Sequence, residues 1–85
     1  MFYQQGGINK VIVSQQAQFF VNQHTQHINQ IFGVHYNGYM VVEEYSQVLG
    51  INGSNHILQI IGQPNGGSYT ITVHVPNNNG VPMTI

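Results

Sequence analysis

SQQAQFFVNQHTQHINQIF, residues 14–32, is the stretch whose reading decides the fold. Ser14 stands where an N-cap is wanted, its hydroxyl able to accept from a free amide of the first turn. Ala17, Val21, His24, Ile28 and Ile31 recur at spacings of three and four, and Phe20 and Phe32 widen the same stripe. Gln15, Gln18, Asn22, Gln26, Asn29 and Gln30 fall on the other side. Gly33 follows, where a helix ends well on a residue of positive φ. The spacing predicts one long helix with one apolar side, which needs the remaining residues as its cover.

Before the helix, residues 1–5 form a polar-aromatic lead and Gly6-Gly7 a pair without side chains. Ile8, Val11, Ile12 and Val13 then read as a short strand. After Gly33, Asn37-Gly38 is a turn signal and residues 39–49 a long strand. Its faces alternate as Tyr39, Val41, Glu43, Tyr45, Gln47, Leu49 against Met40, Val42, Glu44, Ser46, Val48. A turn at residues 50–53 leads to a strand at 55–61, and Gln63-Pro64-Asn65-Gly66-Gly67 is a loop. Tyr69, Ile71, Val73 and Val75 then alternate with Ser68, Thr70, Thr72 and His74, the pattern of a sheet with one covered and one wet face. Residues 76–80 turn again, and 81–85 can pair as a last strand. The expected class is α+β, one domain over residues 1–85. A single long helix packs on a curved antiparallel sheet of four to five strands, in the order β-α-β-β-β-β.

Composition narrows the function. Lys10 is the sole basic side chain, and Glu43 and Glu44 are the sole acids, so 4% of residues are charged, where about a quarter is usual. Eleven Gln and ten Asn supply polarity instead. A nucleic-acid partner needs several cations to displace counterions, and so does an anionic membrane surface; neither is expected. No apolar run approaches the ~20 residues of a membrane span. The start has no charged n-region followed by an apolar h-region, so no signal peptide is expected. With no cysteine, disulfides and thiolate metal sites are unavailable. Near-zero net charge weakens the repulsion between copies, so a homo-oligomer, domain swap or fibre is an open expectation.

A catalytic set is hard to assemble. Asp is absent, and Glu43 and Glu44 as strand neighbours point to opposite faces, which suits solvated or edge charges better than an acid/base pair. The chain is expected not to be an enzyme. His24 and His27 have a workable spacing for a metal, but no carboxylate is near to orient a third ligand, so no metal and no cofactor are assigned. Asn52-Gly53-Ser54 matches a glycosylation acceptor and is also an ordinary turn, which is the favoured reading. Residues 57–61, Ile-Leu-Gln-Ile-Ile, combine β-branching with no charge, the mark of an aggregation-prone window or of a core strand.

Three features together resemble the cystatin superfamily, in particular its disulfide-free stefin branch. Gly6-Gly7 precede the first strand and helix. Ser46-Gln47-Val48-Leu49-Gly50 is similar to the family's Gln-Val-Val-Ala-Gly hairpin. Val75-Pro76-Asn77-Asn78-Asn79-Gly80 stands where the family carries a second hairpin with Leu-Pro or Pro-Trp. The resemblance implies reversible, non-catalytic inhibition of papain-like cysteine proteases, the partner being the protease's active-site cleft. It makes Gly6, Gly7, Gln47, Val48, Leu49, Gly50, Val75 and Pro76 the protease-binding residues. Gly50 stands where the family has Ala, and Ile51 where it has Gly. The competing expectation, from composition, is a self-assembling structural or filament subunit, or a non-inhibitory engineered scaffold, on the same α+β class of fold. The compartment would be cytoplasmic for a stefin-like inhibitor and extracellular for a filament subunit.

Overall fold

The computed structural model describes residues 7–85, and the expected single long helix is not there. The stretch folds as two short helices, α1 (Gln15–Gln23) and α2 (Thr25–Phe32), broken at His24, whose φ of −113° and ψ of 24° leave the helical region. At the break, side chains bond back to carbonyls of the preceding turn. The His24 ring Nδ1 lies 2.8 Å from the Phe20 carbonyl oxygen, and the Thr25 hydroxyl donates to that of Val21 at 3.1 Å. Side chains that bond back one turn loosen and bend a helix. The ends of the stretch are well capped: Ser14 Oγ accepts from the Ala17 N–H at 3.1 Å, and Gly33 closes α2 at φ 67°.

The molecule is sheet-rich. Five antiparallel strands lie side by side in chain order: β1 (Ile8–Val11), β2 (Gly38–Val48), β3 (Ser54–Gln63), β4 (Ser68–Val75) and β5 (Met83–Thr84). Val21, Ile28, Leu58 and Ile60 are fully buried between helices and sheet, with Phe20, Tyr39, Val41, Ile71 and Val73 around them. Burying a side chain such as Leu58 is worth about 1.5–3 kcal/mol. Ile31, expected in the apolar stripe, is half exposed, because the break at His24 rotates α2 relative to the α1 spacing.

Two amides expected to face solvent hold the fold together instead. Gln18 donates to the Tyr39 carbonyl at 2.8 Å and accepts from the Val41 N–H at 3.0 Å. It thereby satisfies the edge of β2 where β1, which reaches only from Glu44 to Gln47, does not cover it. Asn29 is buried, bonded to both backbone groups of Tyr36 and to the Tyr39 hydroxyl at 2.6 Å.

The alternation expected along β2 is also interrupted. Val41 pairs with Ile60 and Glu43 with Gln59, leaving Val42 as an extra residue in a bulge. Beyond it every side chain changes face, so Glu44, opposite Leu58, points into the protein with Tyr39 and Val41. Residues 57–61 lie in β3, hydrogen-bonded on both sides by β2 and β4, so their backbone offers no free edge in the folded chain.

Candidate functional site

The antiparallel order brings three connections to one end of the sheet. Ile8 pairs with Gln47, so Gly7 enters beside the end of β2. Val48 pairs with Ser54 across the first hairpin, and Ser54 pairs in turn with Val75, the last residue of β4. Gly7, the first hairpin and Pro76 are consecutive neighbours along one rim. Gly6 lies outside the described residues.

Local bonds shape the first tip. Leu49 N–H donates to the Gly53 carbonyl at 2.8 Å, closing the loop, while Asn52 and Gly53 N–H groups donate back to Leu49 and Gly50 at 3.2 Å. The result is a single 3₁₀ turn, Gly50–Asn52, with Ile51 at its apex and 89% exposed. Gly53 has φ 90°, and a Cβ there would collide with the Val75 carbonyl oxygen and sit 2.9 Å from Pro76 Cα. Only a residue without a side chain lets the two tips close up at this point. The Asn77 side-chain amide then donates to the Gly50 carbonyl at 2.9 Å, tying the second tip to the first.

The expected site residues divide into two groups. Gly7, Val48 and Gly50 are exposed, and Leu49 and Pro76 half-buried, all on the rim. Val75 instead packs against the core, and Gln47 lies half-buried on the sheet, accepting from Asn55 Nδ2 at 3.4 Å. Ile51, Gly53 and Asn77 belong to the tip but were not among the expected site residues. The Asn52-Gly53 turn signal pointed to Gly53, whereas the Asn77 bond joins residues 27 apart and leaves no local pattern.

Behind the rim lies a polar tie. Glu44 is 2% exposed, which corrects its reading as a solvated charge. One carboxylate oxygen accepts from the Ser14 N–H at 2.8 Å and the Ser14 hydroxyl at 3.0 Å, and the other faces His56 Nδ1 at 2.9 Å. His56 Nε2 lies 2.8 Å from the Ser54 hydroxyl, at the base of the first tip. A buried charge is tolerable only when bonded in this way. The negative charge also sits at the α1 N-terminus, where the helix dipole favours it. A cavity of about 150 Å³ opens beside this tie, walled by Ala17, Phe20, Leu58, Val73, Val75 and Pro82. Of the polar groups beside it, Ser14, Glu44 and His56 are already bonded within the protein, and Gln16 completes the mostly apolar wall.

Glu43 points outward and pairs with Lys10 at 3.1 Å. The hydrogen bond to Glu43 and its charge hold the Lys10 ammonium above the usual lysine range. Residues 45–85 contain no Asp, Glu, Lys or Arg, so the rim built from them is uncharged. The histidines are dispersed: His24 is stacked on Phe20, His27 lies against Thr84, His56 against Glu44 and His74 against Asn55. Among the described residues no three His, Asp or Glu side chains are grouped to hold a metal ion.

Comparison with protein-family models, with curated proteins and with solved structures finds no match to this chain. A functional reading therefore rests on the geometry of the rim and on the residues that build it.

Proposed function

We propose that the protein is a reversible, non-catalytic inhibitor of papain-like cysteine proteases, acting as the cystatins it resembles act, by plugging the active-site cleft with its rim. The observation that carries this reading is the juxtaposition of Gly7, the Val48–Gly53 tip and Pro76 along one edge of the sheet. Such an edge suits a cleft for three physical reasons. It is uncharged, so entering the cleft desolvates no ion. It exposes apolar area at Val48 and Ile51. Its tips are bonded to each other beforehand, so less conformational freedom is lost on binding. The cleft's nucleophile needs no partner group on this chain, because the plug works by occupancy.

Titrating papain with the purified protein at micromolar concentration tests the reading. A stoichiometric, reversible loss of peptidase activity is expected; full activity at excess protein would overturn it.

A second reading, self-assembly, draws on a different observation. Ile12 and Ile85 are 93% and 73% exposed away from the rim, and β1 and the two-residue β5 leave the outer sheet edges open among the described residues. Light scattering across a concentration series distinguishes the two, since an inhibitor of this kind remains monomeric while an assembling subunit grows with concentration.

A further inference from the structure

Four Asn-Gly pairs punctuate the chain: Asn37-Gly38, Asn52-Gly53, Asn65-Gly66 and Asn79-Gly80. Such a pair is chemically labile because glycine leaves its own nitrogen open to approach. The deprotonated glycine nitrogen attacks the asparagine side-chain carbonyl carbon, the bond to the side-chain nitrogen breaks, and ammonia leaves with the displaced proton. Water then adds to either carbonyl of the resulting succinimide ring and opens it. The product is aspartate, or isoaspartate with the main chain rerouted through the side chain. The reaction requires a glycine N–H that is not already committed and a backbone free to bring the two atoms together.

The fold treats the four pairs differently. Gly53 N–H is committed to the Gly50 carbonyl, and Gly53 is buried against the second tip. Gly66 N–H is committed to the Gly62 carbonyl at 2.9 Å. Gly38 opens β2, in register with Gln63. Gly80 is exposed, and among the described residues no acceptor takes its N–H. Asn79 is exposed too, with φ 61°, directly after Asn78 at φ 65°. The loop carrying them folds back on the rim: a Cβ at Gly80 would strike the Pro76 ring.

We propose that Asn79-Gly80 is a modification site, the one of the four pairs that the fold leaves open to spontaneous conversion of amide to acid. The product places a carboxylate beside Pro76, on a rim with no other ionised side chain. On the inhibitor reading, which this consequence rests on, the plug would then have to desolvate a charge to enter a cleft, and modification would act as a timer on inhibition.

The full-length protein, held at mildly alkaline pH, is sampled over time, digested, and mapped by mass spectrometry at all four pairs, in buffer and in urea. In buffer, conversion at Asn79 is expected to run several-fold faster than at Asn37, Asn52 and Asn65; in urea the rates should draw together. Conversion at Asn37, Asn52 or Asn65 keeping pace with Asn79 in the folded chain overturns the site. Asn79→Asp, compared with the unmodified protein against papain, reads the consequence: a roughly tenfold weaker inhibition is expected. Equal inhibition by the two overturns the timer. If the unmodified protein does not inhibit at all, the inhibitor reading and its timer fall, and the mapping alone decides the modification site.

Discussion

The side-chain amide of Asn77 reaches the main-chain carbonyl of Gly50 at 2.9 Å, so the two tips of the rim form one unit. Both groups are exposed, and water can replace the bond, so Asn77→Ala should cost at most about 1 kcal/mol of stability. The expected cost to inhibition is larger in proportion, a roughly five- to tenfold weaker affinity, since the tips would then be ordered at the protease's expense. Urea unfolding and papain titration of the same variant measure the two effects. Unchanged affinity would mean that the tips bind independently.

Ile51 stands at the apex, outside every core contact. Ile51→Asn should leave the unfolding midpoint where it is. If the side chain is buried in a cleft, about 1.5–3 kcal/mol of binding is lost, roughly ten- to a hundredfold. An affinity as good as that of the parent would place the apex outside the interface.

Glu44 and Glu43 are adjacent in sequence and opposite in consequence. Glu44→Ala strips Ser14 and His56 of their shared hydrogen-bond partner, at an expected cost of about 1–3 kcal/mol. Against the about 5–15 kcal/mol that holds a domain together, this loss should lower the unfolding midpoint clearly. Glu43→Ala breaks an exposed pair with Lys10 and should leave stability nearly unchanged. Chemical denaturation of both variants checks the contrast; similar midpoints would contradict the buried tie.

Burial raises the Tyr39 phenol above the usual tyrosine range, with Tyr36 adding to the effect. The unfolded chain therefore releases this proton first, near pH ~10. Tyr39 contributes its stabilisation in full below that pH and loses it as pH rises through the folded value. Lys10, also raised, loses its share in the same direction. Tyr39→Phe should be less stable at neutral pH, lacking the bond to Asn29, and its stability should fall less steeply between neutral and strongly alkaline solution. Unfolding midpoints along a pH series decide it, and parallel slopes for the two proteins would refute the assignment.

What could be read from the residues was whatever lies within a few positions. Ser14 and Gly33 announce the ends of the helical stretch, because a cap is a contact between near neighbours. Tyr69, Ile71, Val73 and Val75 announce the inner face of β4. The break at His24 was not legible, since its periodicity runs through the site unbroken and the back-bonding of the His24 and Thr25 side chains depends on rotamers. Nor was the bulge at Val42, which turns Glu44 inward, because a run of four apolar residues, 39–42, followed by two acids does not show where a partner strand skips one.

The sequence by itself determined a charge-poor chain, poor in groups that catalyse, with turn-forming residues at each reversal and apolar spacing enough for a helical layer over strands. Only the tertiary structure decided that Gly7, the first tip and Pro76 share one rim, that Glu44 is buried beneath it, and that Gly80 alone among the four Asn-Gly glycines stands exposed with its N–H uncommitted. The reason is distance along the chain. Caps and alternation are settled between neighbours, whereas these relationships join residues tens of positions apart, whose meeting depends on strand register and on which hydrogen bonds the assembled sheet leaves unmade.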